Sequence, residues 1–288
     1  MKYKTCLLIV LSFCLFFGVS AEVEVFEGLT YAKYGNREMQ LDLFKPKDQS
    51  EPRPAIIWIH GGGWKNGTRQ GGAKMAKYFA ERNYVAVSIS YRLSEEAPFP
   101  AHIQDCKAAV RWLRANAKTY GIDPDRIGAI GHSAGGHLAA LLATSDGVEE
   151  LEGDGGNQSY SSTIQAAVPM GAQTDLETDR IRSMTAQTGA DIWHIFLGGS
   201  LDENEAMYKL ASPRRHLDSN DPPLMFITGG LDNMDTHAVP IRDDMLRLKI
   251  HSGILVIPGA PHNFTRELEW FDLSLSTAVF FFDSYLKD

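Results

Sequence analysis

A serine hydroxyl attacks a carbonyl at neutral pH only where a base takes its proton and aligned donors receive the charge that develops on the substrate oxygen. The 288-residue sequence supplies candidates for each part. Gly131-His132-Ser133-Ala134-Gly135-Gly136 follows an apolar run, Ile127 to Ile130, and opens a second one, His137 to Ala143. A sharp strand-to-helix turn of that kind exposes its central serine and needs small residues two positions to either side, which Gly131 and Gly135 are. His60-Gly61-Gly62-Gly63-Trp64 follows another apolar run. A glycine series lets several backbone N–H groups face one point, so Gly62 and Gly63, with the N–H of Ala134, are the expected oxyanion donors, and His60 is expected to anchor the loop. Plain glycine-rich turns are the alternative for both segments, and a phosphate loop is disfavoured because no G-K-[ST] ending follows.

The base is sought among nine histidines. His262 stands in Gly259-Ala260-Pro261-His262-Asn263-Phe264, just after the run Ile254 to Ile257, and Asp232 follows the run Leu224 to Thr228 through Gly229-Gly230-Leu231. Groups just past the ends of parallel strands share one edge of a sheet, so Ser133, Asp232 and His262 are expected as a catalytic triad, with Asp235 the substitute for the acid. That chemistry is acyl transfer through a covalent intermediate, and it calls for no metal or organic cofactor.

These positions need a scaffold. Leu29 to Phe44 alternates around Gly35-Asn36 as a hairpin does. Beyond it, continuous β-branched runs at 55–59, 85–90, 127–130, 164–170, 224–228 and 254–257 have the character of buried strands. Ile103, Cys106, Val110, Leu113 and Ala117 recur at helical steps over 100–120, and Leu275, Val279, Phe282 and Leu286 do so near the end, after a cap expected at Asp272. Strands alternating with helices give an α/β class: a mainly parallel central sheet, an N-terminal antiparallel hairpin and helices on both faces.

Residues 1–21 read as a cleavable export signal: Lys2 and Lys4, an apolar run from Cys6 to Phe17, then small residues up to Ala21. A periplasmic or extracellular location follows, with no membrane association after cleavage and with residues 22–288 as one catalytic domain. Only Cys106 then remains, on the apolar side of a helical pattern, as a buried inert thiol. The formal net charge of −8 falls further when the two lysines leave, which disfavours nucleic acid as a partner. His132 and His137 lack metal-ligand spacing. Glu149, Glu150, Glu152 and Asp154, with Gly153, Gly155 and Gly156, read as a solvated loop, with a calcium loop as the lesser alternative.

The sequence resembles the α/β-hydrolase esterases that carry an H-G-G-G-W loop and a G-x-S-A-G-G elbow, a group with hormone-sensitive-lipase-like and bacterial acetylxylan- and feruloyl-esterase-like members. The likeness extends through Tyr91-Arg92-Leu93, Pro98-Phe99-Pro100, 123–127, Phe196-Leu197-Gly198-Gly199 and Ala211-Ser212-Pro213. Thr228 departs from it where a histidine often begins the acid loop, and His132 departs where the hormone-sensitive-lipase-like branch carries aspartate. The resemblance implies the α/β-hydrolase fold and a secreted serine carboxylesterase. The expected substrate is a small-molecule or polysaccharide ester with a short acyl group, on a carbohydrate or plant-derived alcohol. A short cap is expected from about 171–221, with Trp64 and Trp193 as aromatic walls for the substrate. A lipase, an amide hydrolase of formamidase or peptidase type, and an inactive binding protein are the alternatives.

Overall fold

The computed structural model describes residues 21–48, 50–187 and 191–287, so the expected leader, apart from Ala21, lies outside the described residues. The hairpin forms as expected: β1 (Val23–Tyr34) and β2 (Arg37–Pro46) pair antiparallel, with Tyr34 opposite Arg37 across the Gly35-Asn36 turn. The apolar runs become β3 (Arg53–Ile59), β4 (Val85–Ile89), β5 (Ile122–His132), β6 (Ala166–Met170), β7 (Leu224–Gly229) and β8 (Ser252–Ile257). The sheet order is β1-β2-β4-β3-β5-β6-β7-β8; β2 meets β4 antiparallel, and every pair from β4–β3 to β7–β8 is parallel. The C-terminal ends of β3, β5, β7 and β8 therefore share one edge, and the candidate residues follow those ends.

Alternation along the strands divides the core. Ile57 and Ile59 of β3 face one side of the sheet with Val85, Val87 and Ile89 of β4, whereas Ile56 and Trp58 face the other with Ala86. Helices α2 (Ala101–Ala115) and α3 (Ala134–Thr144) cover the first side, and α1 (Ala73–Ala80) and the terminal helix, Leu268–Leu286, cover the second. The expected stripe on α2 is fully buried at Ile103, Cys106, Val110 and Leu113. Ala117 falls beyond the helix, on a separate turn after Asn116. The terminal helix starts four residues before Asp272, capped at Glu267. Phe271 explains the difference: it is 5% exposed and packs with Leu275, Phe282 and Leu286, so the helix must already have begun there. Burying a side chain of that size contributes about 2 kcal/mol.

The acidic stretch also differs from expectation: Glu149–Glu152 is a helical turn rather than a loop, and one of its acids is tied to the core. Glu152 accepts bonds from Lys107 Nζ at 2.5 Å, Arg111 Nη1 at 3.1 Å and Ser162 Oγ at 2.8 Å. Lys107 and Arg111 are 1% and 2% exposed on α2, and burial, partly offset by Glu152, depresses the Lys107 ammonium below its ordinary range. Glu152 is thus the counter-charge of two buried cations rather than a solvated acid. Glu152→Gln leaves both without it and is expected to lower stability by about 3 kcal/mol, measured by urea unfolding.

Candidate active site

β5 ends at His132 and α3 begins at Ala134, so the chain reverses at Ser133 alone. Its φ of 57° and ψ of −122° lie in a region that costs an L-residue about 1–3 kcal/mol. Two backbone bonds hold it there: Ser133 N–H donates to the Met170 carbonyl at 2.8 Å, and His137 N–H donates to the Ser133 carbonyl at 2.9 Å. The flanking glycines are required by contact rather than by their dihedrals. A Cβ at Gly135 would lie 2.0 Å from the Ile59 oxygen, and one at Gly131 would lie 2.4 Å from the Gly135 oxygen. Strand β3, the turn and helix α3 meet backbone to backbone.

His262 Nε2 lies 2.9 Å from Ser133 Oγ, and His262 Nδ1 lies 3.0 Å from Asp232 Oδ1. The carboxylate can only accept, so Nδ1 carries the proton and Nε2 is left to receive one from serine. The loops behind β7 and β8 support each other, since Gly230 N–H donates to the Ile257 carbonyl at 2.8 Å and Leu231 N–H to the Ala260 carbonyl at 3.1 Å. Burial opposes the charge on Asp232. The hydrogen bond from His262 and the fields of His262, His237 and His132 outweigh it and hold the carboxyl below its ordinary value. The imidazole bonds Asp232; Asp235 sits further on, in the single helical turn Met234–His237.

The glycine loop lies against this turn: a Cβ at Gly61 would be 3.3 Å from Ser133 Cβ. Gly62 and Gly63, with φ of 113° and 60°, line the same cleft as Ser133. Ala134 is the first residue of α3, so its N–H is one of those that no carbonyl within the helix takes. His60 stacks on Tyr91 with ring centres 4.2 Å apart and bonds the Gly61 carbonyl through Nδ1, and Tyr91 Oη donates to the His60 carbonyl at 3.0 Å. The expected anchoring role of His60 matches these contacts. Arg92 of the same motif makes a bidentate pair with the buried Asp105.

Trp64 and Trp193 do not form substrate walls. Trp64 is 2% exposed and Trp193 is 3% exposed. Trp64 stacks on Phe196 at 4.2 Å, packs on Trp193 at 5.2 Å and donates from Nε1 to His137 Nδ1 at 3.2 Å, while His137 Nε2 bonds the Ala211 carbonyl at 2.7 Å. Burial lowers the His137 pKa to about 4, so the ring is a neutral relay. The tryptophan that ends the glycine loop turns inward and fastens it to the helix Asp191–Leu197 of the segment expected as a cap. Among the described residues of that segment, 171–221, two other short α-helices, Asp179–Thr185 and Glu205–Ala211, and a 3₁₀ turn at Pro213–His216 accompany it. Trp64→Phe strands a buried acceptor and is expected to cost about 1–3 kcal/mol of stability in urea unfolding. The ratio of turnover on sugar esters to turnover on simple esters should stay unchanged in that variant.

Two histidines carry roles that sequence reasoning did not assign. His132 donates from Nε2 to the His262 carbonyl at 2.7 Å, and burial, then the field of His262, lowers its pKa to about 4. A neutral ring thus holds the His262 loop from the residue before the serine, across a separation of 130 positions that no local pattern signals. His237 is 5% exposed beside Asp232, with its ring centre 6.3 Å from that of His262. The cleft holding Ser133 has a volume of about 520 Å³, and its lining includes His60, Gly61, Asn66, Thr68, Met75, Asn263 and Arg266. A smaller hollow of about 230 Å³ opens on the other side of His262, between Asp232, His237 and Arg180.

A family model described as BD-FAE matches residues 41–242. Esterase LipQ of Mycobacterium tuberculosis is 34% identical over 203 residues, which are 69% of this chain and 47% of LipQ. The chain spans about half the length of the curated relatives it matches. Among solved structures, a truncated form of a carbohydrate esterase from gut microbiota is 26% identical with a TM-score of 0.78, covering 91% of this chain and 97% of that one. Est2, a thermophilic esterase of the planctomycete Thermogutta terrifontis, is 26% identical with a TM-score of 0.73 and 92% coverage of both chains.

Proposed function

The chain belongs to the BD-FAE family and has the α/β-hydrolase fold, and from that premise we propose that it is an exported serine carboxylesterase acting on short-acyl esters of carbohydrate or plant-derived alcohols. The observation that carries this reading is the hydrogen-bonded line from Asp232 through His262 to Ser133, which lines a cleft of about 520 Å³. His262 takes the Ser133 proton as Oγ attacks the ester carbonyl, and Asp232 holds the imidazole tautomer and stabilises the imidazolium. The N–H groups of Gly62, Gly63 and Ala134 receive the oxyanion. The alcohol leaves with the proton from His262, and water, deprotonated in turn by His262, releases the acid from Ser133.

The preference for a short acyl group is supported by the cleft lining. A long acyl chain gains about 0.8 kcal/mol per buried CH₂, and Trp58 and Met75 are the large apolar side chains of a lining otherwise made of glycine and polar residues. Est2 has been solved bound to propionate and to butyrate, and phosphorylated by paraoxon. The carbohydrate alcohol is supported by the hydrogen-bonding side chains in the lining, among them Asn66, Asn263 and Arg266, and by the gut carbohydrate esterase of like fold, no longer by aromatic walls. Profiling esters of graded acyl length and assaying release of acetate or ferulate from decorated polysaccharides tests the proposal. Turnover peaking between acetyl and butyryl, with release from a polysaccharide, is the expected result; a preference for about ten or more acyl carbons, where buried methylenes dominate, overturns it. Export is tested apart, by sequencing the N-terminus of the mature protein, which should begin at Glu22.

A further inference from the structure

The hollow behind His262 has the composition of a metal site. Asp232, His237 and His262 each bring a ligating atom within 4.8 Å of the other two. His237 is presented as metal-binding histidines are. Its Nδ1 lies 2.5 Å from the Asn233 carbonyl, and a carbonyl only accepts, so Nδ1 carries the proton and Nε2 keeps a lone pair. A backbone acceptor on the second ring nitrogen is the usual device for aiming a histidine at a metal. Nε2 is buried and has no hydrogen-bond partner, an arrangement that costs about 1–3 kcal/mol and needs a reason. The hollow lined by Gln173, Arg180, Leu231 and Thr236 supplies a path from solvent and room for a water as further ligand.

We propose that Asp232, His237 and His262 bind a divalent cation of the zinc class and that this binding switches the enzyme off. Two imidazole nitrogens and one carboxylate suit Zn²⁺ or Cu²⁺ and not Mg²⁺ or Ca²⁺. On His262 the atom beside the carboxylate is Nδ1, so the cation takes the place of the Nδ1 proton, and that one proton passes by exchange with solvent to Nε2. With its single proton on Nε2, the ring faces Ser133 Oγ as a donor and has no lone pair to receive the serine proton. The inhibition rests on the reading of His262 as general base; the binding does not. Arg180 lines the same hollow and its positive charge opposes a cation there.

Titrating ZnCl₂ into the full chain and into Ser133→Ala by calorimetry, beside ester turnover by the unaltered chain, tests both parts. The expected result is about one Zn²⁺ per chain on both proteins, with turnover falling along the same isotherm and returning with EDTA, and no effect of MgCl₂ or CaCl₂. His237→Asn should weaken binding and inhibition together by roughly tenfold or more. Arg180→Gln should strengthen both, a gain that a misfolded variant does not produce. His251→Asn, which removes an exposed histidine at the other end of β8, should change neither. Unchanged binding in His237→Asn, or no binding by the Ser133→Ala and unaltered chains, overturns the proposal. Zn²⁺ held through His237 on a chain without ester turnover supports the site and overturns the functional reading instead.

Discussion

Ser133→Ala is expected to lower kcat by at least about four orders of magnitude while the protein keeps its fold, and His262→Ala should do the same. The serine and its base act as one unit, so losing either removes the covalent route, and what remains is the rate supplied by binding and the oxyanion donors. The fold should survive because neither side chain carries packing: Ser133 is held by its backbone bonds to Met170 and His137, and His262 is partly exposed. Alanine retains the strained φ at 133, so little stability is returned. Single-turnover assays with an activated ester, beside circular dichroism of the purified variants, check both halves. Near-normal turnover in a folded Ser133→Ala protein would sink the mechanism.

Asp232→Asn should cost about 10⁴ in kcat, because an amide in that place presents a donor to the ring and favours the tautomer with the proton on Nε2. Asp235→Asn should leave kcat within a few-fold, since the His262 ring bonds Asp232 and not Asp235. The separation between the two variants is the informative measurement, because it compares neighbours in one loop. A larger loss in Asp235→Asn would move the orienting role to that residue.

The scaffold and the meeting of Ser133, His262 and Asp232 were legible in the sequence for the same physical reason. Strands of a parallel sheet are buried on both faces, so each appears as an unbroken apolar run, and the residues just past the runs must gather at one edge. Side-chain direction was not legible. A tryptophan after three glycines has the same composition whether its ring faces the cleft or the core, and Trp64 faces the core because Phe196 and His137 offer it a stack and an acceptor. Glu152 looked solvated among other acids because its cations, Lys107 and Arg111, lie 45 and 41 positions away. His132 acts through a contact with the His262 carbonyl, 130 positions away, that no spacing rule contains. Asp272 drew attention as a cap because its polarity interrupts an apolar pattern, but the helix begins about a turn earlier, at Leu268, and so includes the buried Phe271.

The placement of His262 has a thermal consequence. Ser133 follows a strand in the middle of the sheet, whereas His262 follows β8, which has a neighbour on one side only, β7, and is half-exposed along most of its length. Edge elements open with less free energy than the global transition, so this margin can peel while the centre stays folded. Heat or denaturant should then extinguish ester turnover before the far-ultraviolet helical signal declines. The working temperature of the molecule is then expected to follow how firmly its last strand adheres rather than the depth of its core.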